Sequence, residues 1–124
     1  MYTLFEFQEK AVQKLLDYTI DGLQETHPQT QVLLEAPTGS GKTVMAAALL
    51  DRLVDAVKLR PGLNDNIAFI WFAPNTLHLQ SYASLNALYE DSRKINCINL
   101  DSLSTNPVLN QNDMLFANWS SLNS

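Results

Sequence analysis

Residues 36–43 read Ala-Pro-Thr-Gly-Ser-Gly-Lys-Thr, and no other stretch restricts this chain as tightly. The octet has the x-x-x-x-x-Gly-Lys-[Ser/Thr] form of a phosphate-binding loop. An apolar run, Val32-Leu33-Leu34, precedes it, and a helix-forming run from Val44 to Leu50 follows. Strand, glycine loop and helix is the context in which the pattern has a mechanical meaning. Two of the four glycines, Gly39 and Gly41, fall here, where a backbone without Cβ turns sharply and aims successive N–H groups at one anion. The helix starting near Lys42 adds the partial positive charge of its N-terminus. Pro37, Thr38, Gly39, Ser40, Gly41, Lys42 and Thr43 are the candidate phosphate-binding residues. In the usual geometry of such a loop the Lys42 ammonium reaches the β- and γ-phosphates and the Thr43 hydroxyl ligates Mg²⁺, so these two are the candidate catalytic residues. The alternative, an ordinary strand-to-helix turn carrying Gly-Lys-Thr by chance, does not account for both flanks.

The chain has 124 residues, enough for one domain or part of a larger one, and 46% are apolar, enough to bury a core. No apolar run has the length of a membrane span, and no signal-peptide pattern opens the chain. The single Cys97 has no partner for an intramolecular disulfide. Its neighbours Ile95 and Ile98 predict a buried thiol, in a reducing, cytoplasmic setting. The formal net charge of -5 argues against a basic nucleic-acid-binding module. It leaves room for a protein that meets nucleic acid in a narrow groove, through backbone amides, hydroxyls and a few cations.

Thr3 and Glu6 have capping-box spacing and predict a helix from about Leu4 to about Glu25, with Gly22 as a point of fraying or breakage. Leu4, Phe7, Ala11, Leu15 and Tyr18 define its expected apolar stripe, widened by Val12, Leu16 and Leu23. His27-Pro28 ends it. Thr30 to Glu35 reads as a strand buried on both faces. A second helix is expected from about Lys42 to Leu59, with Met45, Leu49, Leu50, Leu53, Val54 and Val57 inward, its charges on a solvated face and Pro61-Gly62 as its stop. Ile67 to Phe72 reads as a second buried strand, ending at Ala73-Pro74. A helix then runs to about Asp91 through Leu77, Tyr82, Leu85 and Leu88. Ile95 to Leu100 is a third strand, Asp101 to Asn112 a polar loop, and Met114 to Trp119 a fourth strand. His78 has no His, Cys or carboxylate in ligand spacing and reads as an accessible helix residue. Trp119 is open to two readings, a platform for a base or packing at a strand end. Strands alternating with helices predict an α/β fold with a parallel sheet and a nucleotide at the carboxyl ends of its strands.

Four segments resemble the superfamily 2 helicases and translocases. The octet opens with Ala36, where most phosphate-binding loops carry Gly, and its wording is similar to motif I of that superfamily. Phe7-Gln8-Glu9-Lys10-Ala11-Val12 resembles the aromatic-Gln-x-x-Ala-Val segment upstream of motif I. That resemblance implies ATP as the nucleotide and Gln8 as the reader of its adenine edge, because an amide donates and accepts side by side. Without the motif, Gln8 reads as an ordinary helix glutamine. The strand ending in Ala73-Pro74, the polar turn and the helix with an early Gln80 resemble motif Ia, although Pro74-Asn75-Thr76-Leu77-His78 stands where Pro-Thr-Arg-x-Leu is common. In the superfamily this turn holds the phosphate backbone of one nucleic-acid strand, which makes Pro74, Asn75, Thr76 and Gln80 candidate contacts. Asn118-Trp119 followed by Ser120-Ser121-Leu122 resembles the segment after motif Ia in the restriction (res) subunits of type III restriction enzymes, and adds Asn118 and Ser120 to the candidates.

The resemblance implies a three-layer RecA-like P-loop NTPase fold, present as the N-terminal portion of a first motor domain over residues 1–124. No apolar strand in the sequence ends in Asp-Glu, the motif II that supports Mg²⁺ and orients the attacking water. The only adjacent acidic pair, Glu90-Asp91, sits at an expected helix end. The expectation is the ATP-binding part of a superfamily 2 DNA helicase or translocase, truncated before motif II. It is an ATP hydrolase in the intact protein and inactive as residues 1–124 alone. Implied partners are double-stranded or partly unwound DNA and a modification (methyltransferase) subunit, with no membrane. The alternatives are a non-motor nucleotide-binding or regulatory P-loop module, a P-loop enzyme outside the helicases, and an RNA-directed superfamily 2 helicase.

Overall fold

A computed structural model of the chain describes residues 3–24, 34–35, 41–92, 94–99 and 108–118. In chain order they form α1 (Glu6–Leu23), α2 (Lys42–Leu59), β1 (Phe69–Phe72), α3 (Leu77–Tyr89), β2 (Asn96–Asn99) and β3 (Asp113–Ala117). The strand expected over 30–35 lies mostly outside the described residues, as do Pro37, Thr38, Gly39, Ser40, Trp119 and Ser120. The chain divides into two compact units, Met1–Asp65 and Asn66–Ser124.

In the first unit α1 packs on α2. Val12, Met45 and Ala48 form the buried centre of that contact, with Leu4, Ala11, Leu34 and Leu49 around it. Leu34 belongs to the expected strand and reaches this core. α2 has the bounds its sequence predicts. Gly41 caps its start, and Arg60 leaves the helical region as the residue before Pro61.

α1 departs from expectation in two ways. The capping box foreseen on Thr3 and Glu6 does not form the helix start: the N-cap is Phe5, and its N–H donates to Gln8 Oε1 at 2.9 Å. Gln8 therefore occupies the third helical position and supplies the acceptor that reaches back to the cap. The buried line is Gln8, Val12, Leu16 and Ile20, whereas Phe7 and Tyr18 of the expected stripe are 57% and 56% exposed. α1 carries apolar side chains on adjacent faces, so more than one stripe satisfies the helical period and packing decides between them. The helix continues through Gly22, which is buried.

In the second unit the strands lie in the order β1-β3-β2, with both pairings parallel. Phe69 to Phe72 pair with Met114 to Ala117, and Asn96 to Asn99 pair with Asp113 to Phe116. β3 is central and buried at every position, the burial of a strand covered on both faces. β1 is not buried throughout, contrary to the sequence expectation: Ile70 and Phe72 are exposed while Phe69 and Trp71 are half-buried. The alternation follows from the two-residue period of a strand, whose successive side chains point to opposite faces. α3 docks on the sheet through Tyr82, whose ring meets Phe116 edge-on at 5.5 Å, and Trp71 lies 6.0 Å from the same ring. His78, Leu85 and Tyr89 are buried on α3. This overturns the expectation of an accessible His78, because positions 78, 82, 85 and 89 share one helical face. Leu77, expected inward, is 44% exposed.

Two polar features of this unit are structural. Buried Asp113 accepts from Asn96 Nδ2 at 3.1 Å and from the Asn110 N–H at 2.7 Å, which satisfies its carboxylate at the amino end of β3. Cys97 is half-buried, and desolvation pushes its thiol up to about 11, so the reactive thiolate is suppressed. No helix among the described residues is long and apolar enough to cross a membrane.

Candidate nucleotide and nucleic-acid sites

In the first unit the candidate residues gather where α2 begins. Gly41 is the N-cap in the left-handed region, φ 82° and ψ 39°, which glycine adopts without a Cβ penalty. Lys42 and Thr43 are the first two residues of the helix, and the Gly41 carbonyl accepts from the Met45 N–H at 2.9 Å. The earliest N–H groups of a helix have no intrahelical acceptor, and the first turn of α2 contains no acidic side chain to compete for them. Those donors, the exposed Lys42 and the half-buried Thr43 fit a phosphate group, and the Thr43 hydroxyl is a hard oxygen suited to Mg²⁺.

Gln8 belongs to the same place. Its side chain is buried against Gly41 so closely that a Cβ on that glycine would collide with Gln8 Nε2. Glycine is thus required at position 41 twice, for its backbone angles and for the approach of α1. An ion pair also joins the two helices: Arg52 Nη2 donates to Glu9 Oε2 at 2.8 Å, and Arg52 Nη1 lies 2.8 Å from Glu9 Oε1. The hydrogen bond from Arg52 holds the Glu9 carboxyl below its ordinary value. The exposed rings of Phe5 and Phe7 stack with centroids 6.2 Å apart. The sequence singled out Gln8 as a candidate and gave no sign of the contact between Glu9 and Arg52. Their pairing spans 43 residues and has no local signature.

In the second unit the candidates converge at the carboxyl ends of β1 and β3. The Ala73 N–H donates to the Ala117 carbonyl at 3.2 Å, which prolongs the ladder by one step beyond β1. The turn then closes through Leu77 N–H to the Pro74 carbonyl at 3.1 Å and Leu79 N–H to the Thr76 carbonyl at 3.0 Å. Asn75 sits in the left-handed region at φ 54°, and Asn118 Nδ2 donates to its carbonyl at 3.0 Å. Pro74, Asn75, Thr76 and Asn118 are thereby brought together, and exposed Gln80 lies in the first turn of α3. That turn also lacks acidic residues. Glu90 is the C-cap of α3 and Asp91 follows it in a turn, so this acidic pair is on no strand.

A family model described as type III restriction enzyme, res subunit, matches residues 1–124, the full length of the chain. The chain belongs to this family. No curated protein and no solved structure matches it. As a res-subunit family member it is a superfamily 2 helicase-type ATP-binding module, and its parallel α/β sheet is that of a P-loop helicase fold present in part. Membership of a helicase family points to ATP and Mg²⁺ as its ligands, which the donor-rich start of α2 is suited to receive.

Proposed function

We propose that residues 1–124 are the N-terminal, ATP-binding portion of a DNA-translocating motor of the type III restriction class, whose ATP hydrolysis in the intact protein drives movement on DNA. The observation that carries this reading is the contact of Gln8 with Gly41. It puts an amide able to recognise adenine beside the glycine that opens the phosphate-binding helix. The amide oxygen accepts from the Phe5 N–H, which fixes the direction in which the amide points. Lys42 offsets the charge of the β- and γ-phosphates, with Pro37, Thr38, Gly39, Ser40 and Gly41 lending backbone to the cradle. Thr43 holds Mg²⁺, which neutralises phosphate charge when bound. Pro74, Asn75, Thr76, Gln80, Asn118 and Ser120 contact the backbone of double-stranded or partly unwound DNA, and a modification methyltransferase is the partner subunit.

Equilibrium binding of MgATP and MgGTP to the chain tests this reading. Lys42→Ala removes a charge-assisted phosphate contact worth about 1.5–3 kcal/mol, so both nucleotides weaken by roughly tenfold or more. Gln8→Ala weakens ATP more than GTP. Equal loss for both bases would reduce Gln8 to a helix residue, and unchanged affinity in Lys42→Ala would remove the loop from the site.

A further inference from the structure

Hydrophobic burial alone does not fix the rotation and slide of α1 on α2 finely. Phe7 and Tyr18 are 57% and 56% exposed, while the amide of Gln8 is buried. Turning α1 by one residue, about 100°, would bring the line through Phe7 and Tyr18 inward and carry Gln8 outward. The same turn would carry the buried Val12, Leu16 and Ile20 outward, so apolar area favours the observed side of α1. Apolar contact is non-directional and leaves the fine rotation and the slide open.

Gln8 and Glu9 are neighbours in sequence and point to different sides of α1. Gln8 meets Gly41, ahead of the first residue of α2, and Glu9 meets Arg52, far along the same helix. At 1.5 Å per residue these anchor points are separated by about 15 Å along α2. Between them lies the apolar contact of Val12 with Met45 and Ala48. The close packing of Gln8 on Gly41 and the ion pair at Arg52, on either side of an apolar contact along α2, constrain both the rotation and the slide of α1, and a two-pronged guanidinium–carboxylate pair is more demanding in direction than a single bond. Because Glu9 is 52% and Arg52 32% exposed, water screens the pair. Such pairs add little stability, so geometry is the larger part of what this one contributes.

We infer that the Glu9–Arg52 ion pair is the register key of α1, which holds the Gln8 amide against Gly41 and makes Glu9 and Arg52 positioning residues for base recognition. The last step rests on Gln8 as the adenine reader proposed above; the register itself does not. The test uses the whole chain and two readouts. Proton cross-relaxation in solution between the Gln8 side-chain amide and the Gly41 α-protons reports the contact directly. It is present in the unchanged chain, lost in Arg52→Met and in Glu9→Gln, and restored in the charge-swapped double variant Glu9→Arg/Arg52→Glu. The preference for MgATP over MgGTP falls in both single variants to that of Gln8→Ala and returns in the swap. Persistence of the contact in the single variants overturns the inference, and so does failure of the swap to restore it. A collapsed amide spectrum in Glu9→Gln overturns it too, since the pair would then hold the fold and not the register. If the contact behaves as stated but Gln8→Ala leaves base preference unchanged, the register key stands and the adenine reading fails.

Discussion

The side-chain amide of Asn118 donates to the main-chain carbonyl of Asn75 at 3.0 Å and joins residues 43 positions apart. Asn75 lies in the left-handed region, a conformation that L-residues other than glycine adopt at a cost of roughly 1–2 kcal/mol. Asparagine bears that cost better than most, and a donor on its carbonyl favours the turn it belongs to. The residue leaving β3 therefore braces the turn leaving β1, and both belong to the set proposed to meet DNA.

Removing that brace has a measurable consequence. Asn118→Ala is expected to lower stability by about 0.5–1.5 kcal/mol, the usual net worth of one hydrogen bond. Urea denaturation measures the loss, and backbone coupling constants at Asn75 should show the positive φ less populated. DNA affinity of the intact protein should drop as well. An unchanged Asn75 conformation would mean that the turn holds itself.

Two phenylalanines separate core from surface. Phe116 is fully buried between Trp71 and Tyr82, so Phe116→Ala should cost about 3–5 kcal/mol. Phe7 is 57% exposed, and Phe7→Ala should stay within about 0.5 kcal/mol. Chemical denaturation of both variants compares them. A large loss in Phe7→Ala would restore the apolar stripe first expected for α1.

The Glu9–Arg52 pair predicts a pH dependence. The folded-state pKa of Glu9 is depressed below 4.5 by its hydrogen bond with Arg52. A depressed carboxyl contributes stability that is present above its unfolded value and is lost as pH falls through the folded one. Glu9→Gln should lose the pair's small contribution at neutral pH and flatten the acid limb of the stability curve in that window, just below the ordinary carboxylate range, so that the two proteins converge in acid. Identical acid limbs in the two proteins would contradict the pairing.

Residues 1–124 by themselves are expected to bind ATP without turning it over. Transfer of the γ-phosphoryl group to water needs a supported Mg²⁺, an oriented water and charge stabilisation in the transition state. Lys42, Thr43 and the backbone amides bind phosphate in the ground state, and uniform binding of that kind lowers no chemical barrier. The sequence contains no Asp-Glu pair, and among the described residues the acidic pair Glu90-Asp91 lies in a helix end and a turn. A steady-state ATPase assay beside Lys42→Ala checks this. Turnover that vanishes in the variant would reveal a carboxylate acting from elsewhere in the chain.

What the sequence determined by itself is local or periodic. Gly41 before Lys42 and Pro61 after Arg60 delimit α2 at the residues observed, because capping and proline sterics act within a few bonds. Apolar stretches around Phe69–Phe72 and Asp113–Ala117, with a helix-forming segment among the residues between them, already implied parallel strands. Tertiary structure decided what periodicity leaves degenerate. α1 is apolar on adjacent faces, so its stripe settled on Gln8, Val12, Leu16 and Ile20 only once α2 supplied Gly41, Met45 and Ala48 as partners. His78 looked accessible as an isolated polar residue, yet the helical face it shares with Leu85 and Tyr89 buries it. Glu9 with Arg52 and Asn118 with Asn75 meet across 43 residues each, and no local pattern encodes a contact that exists only after the chain has folded back on itself.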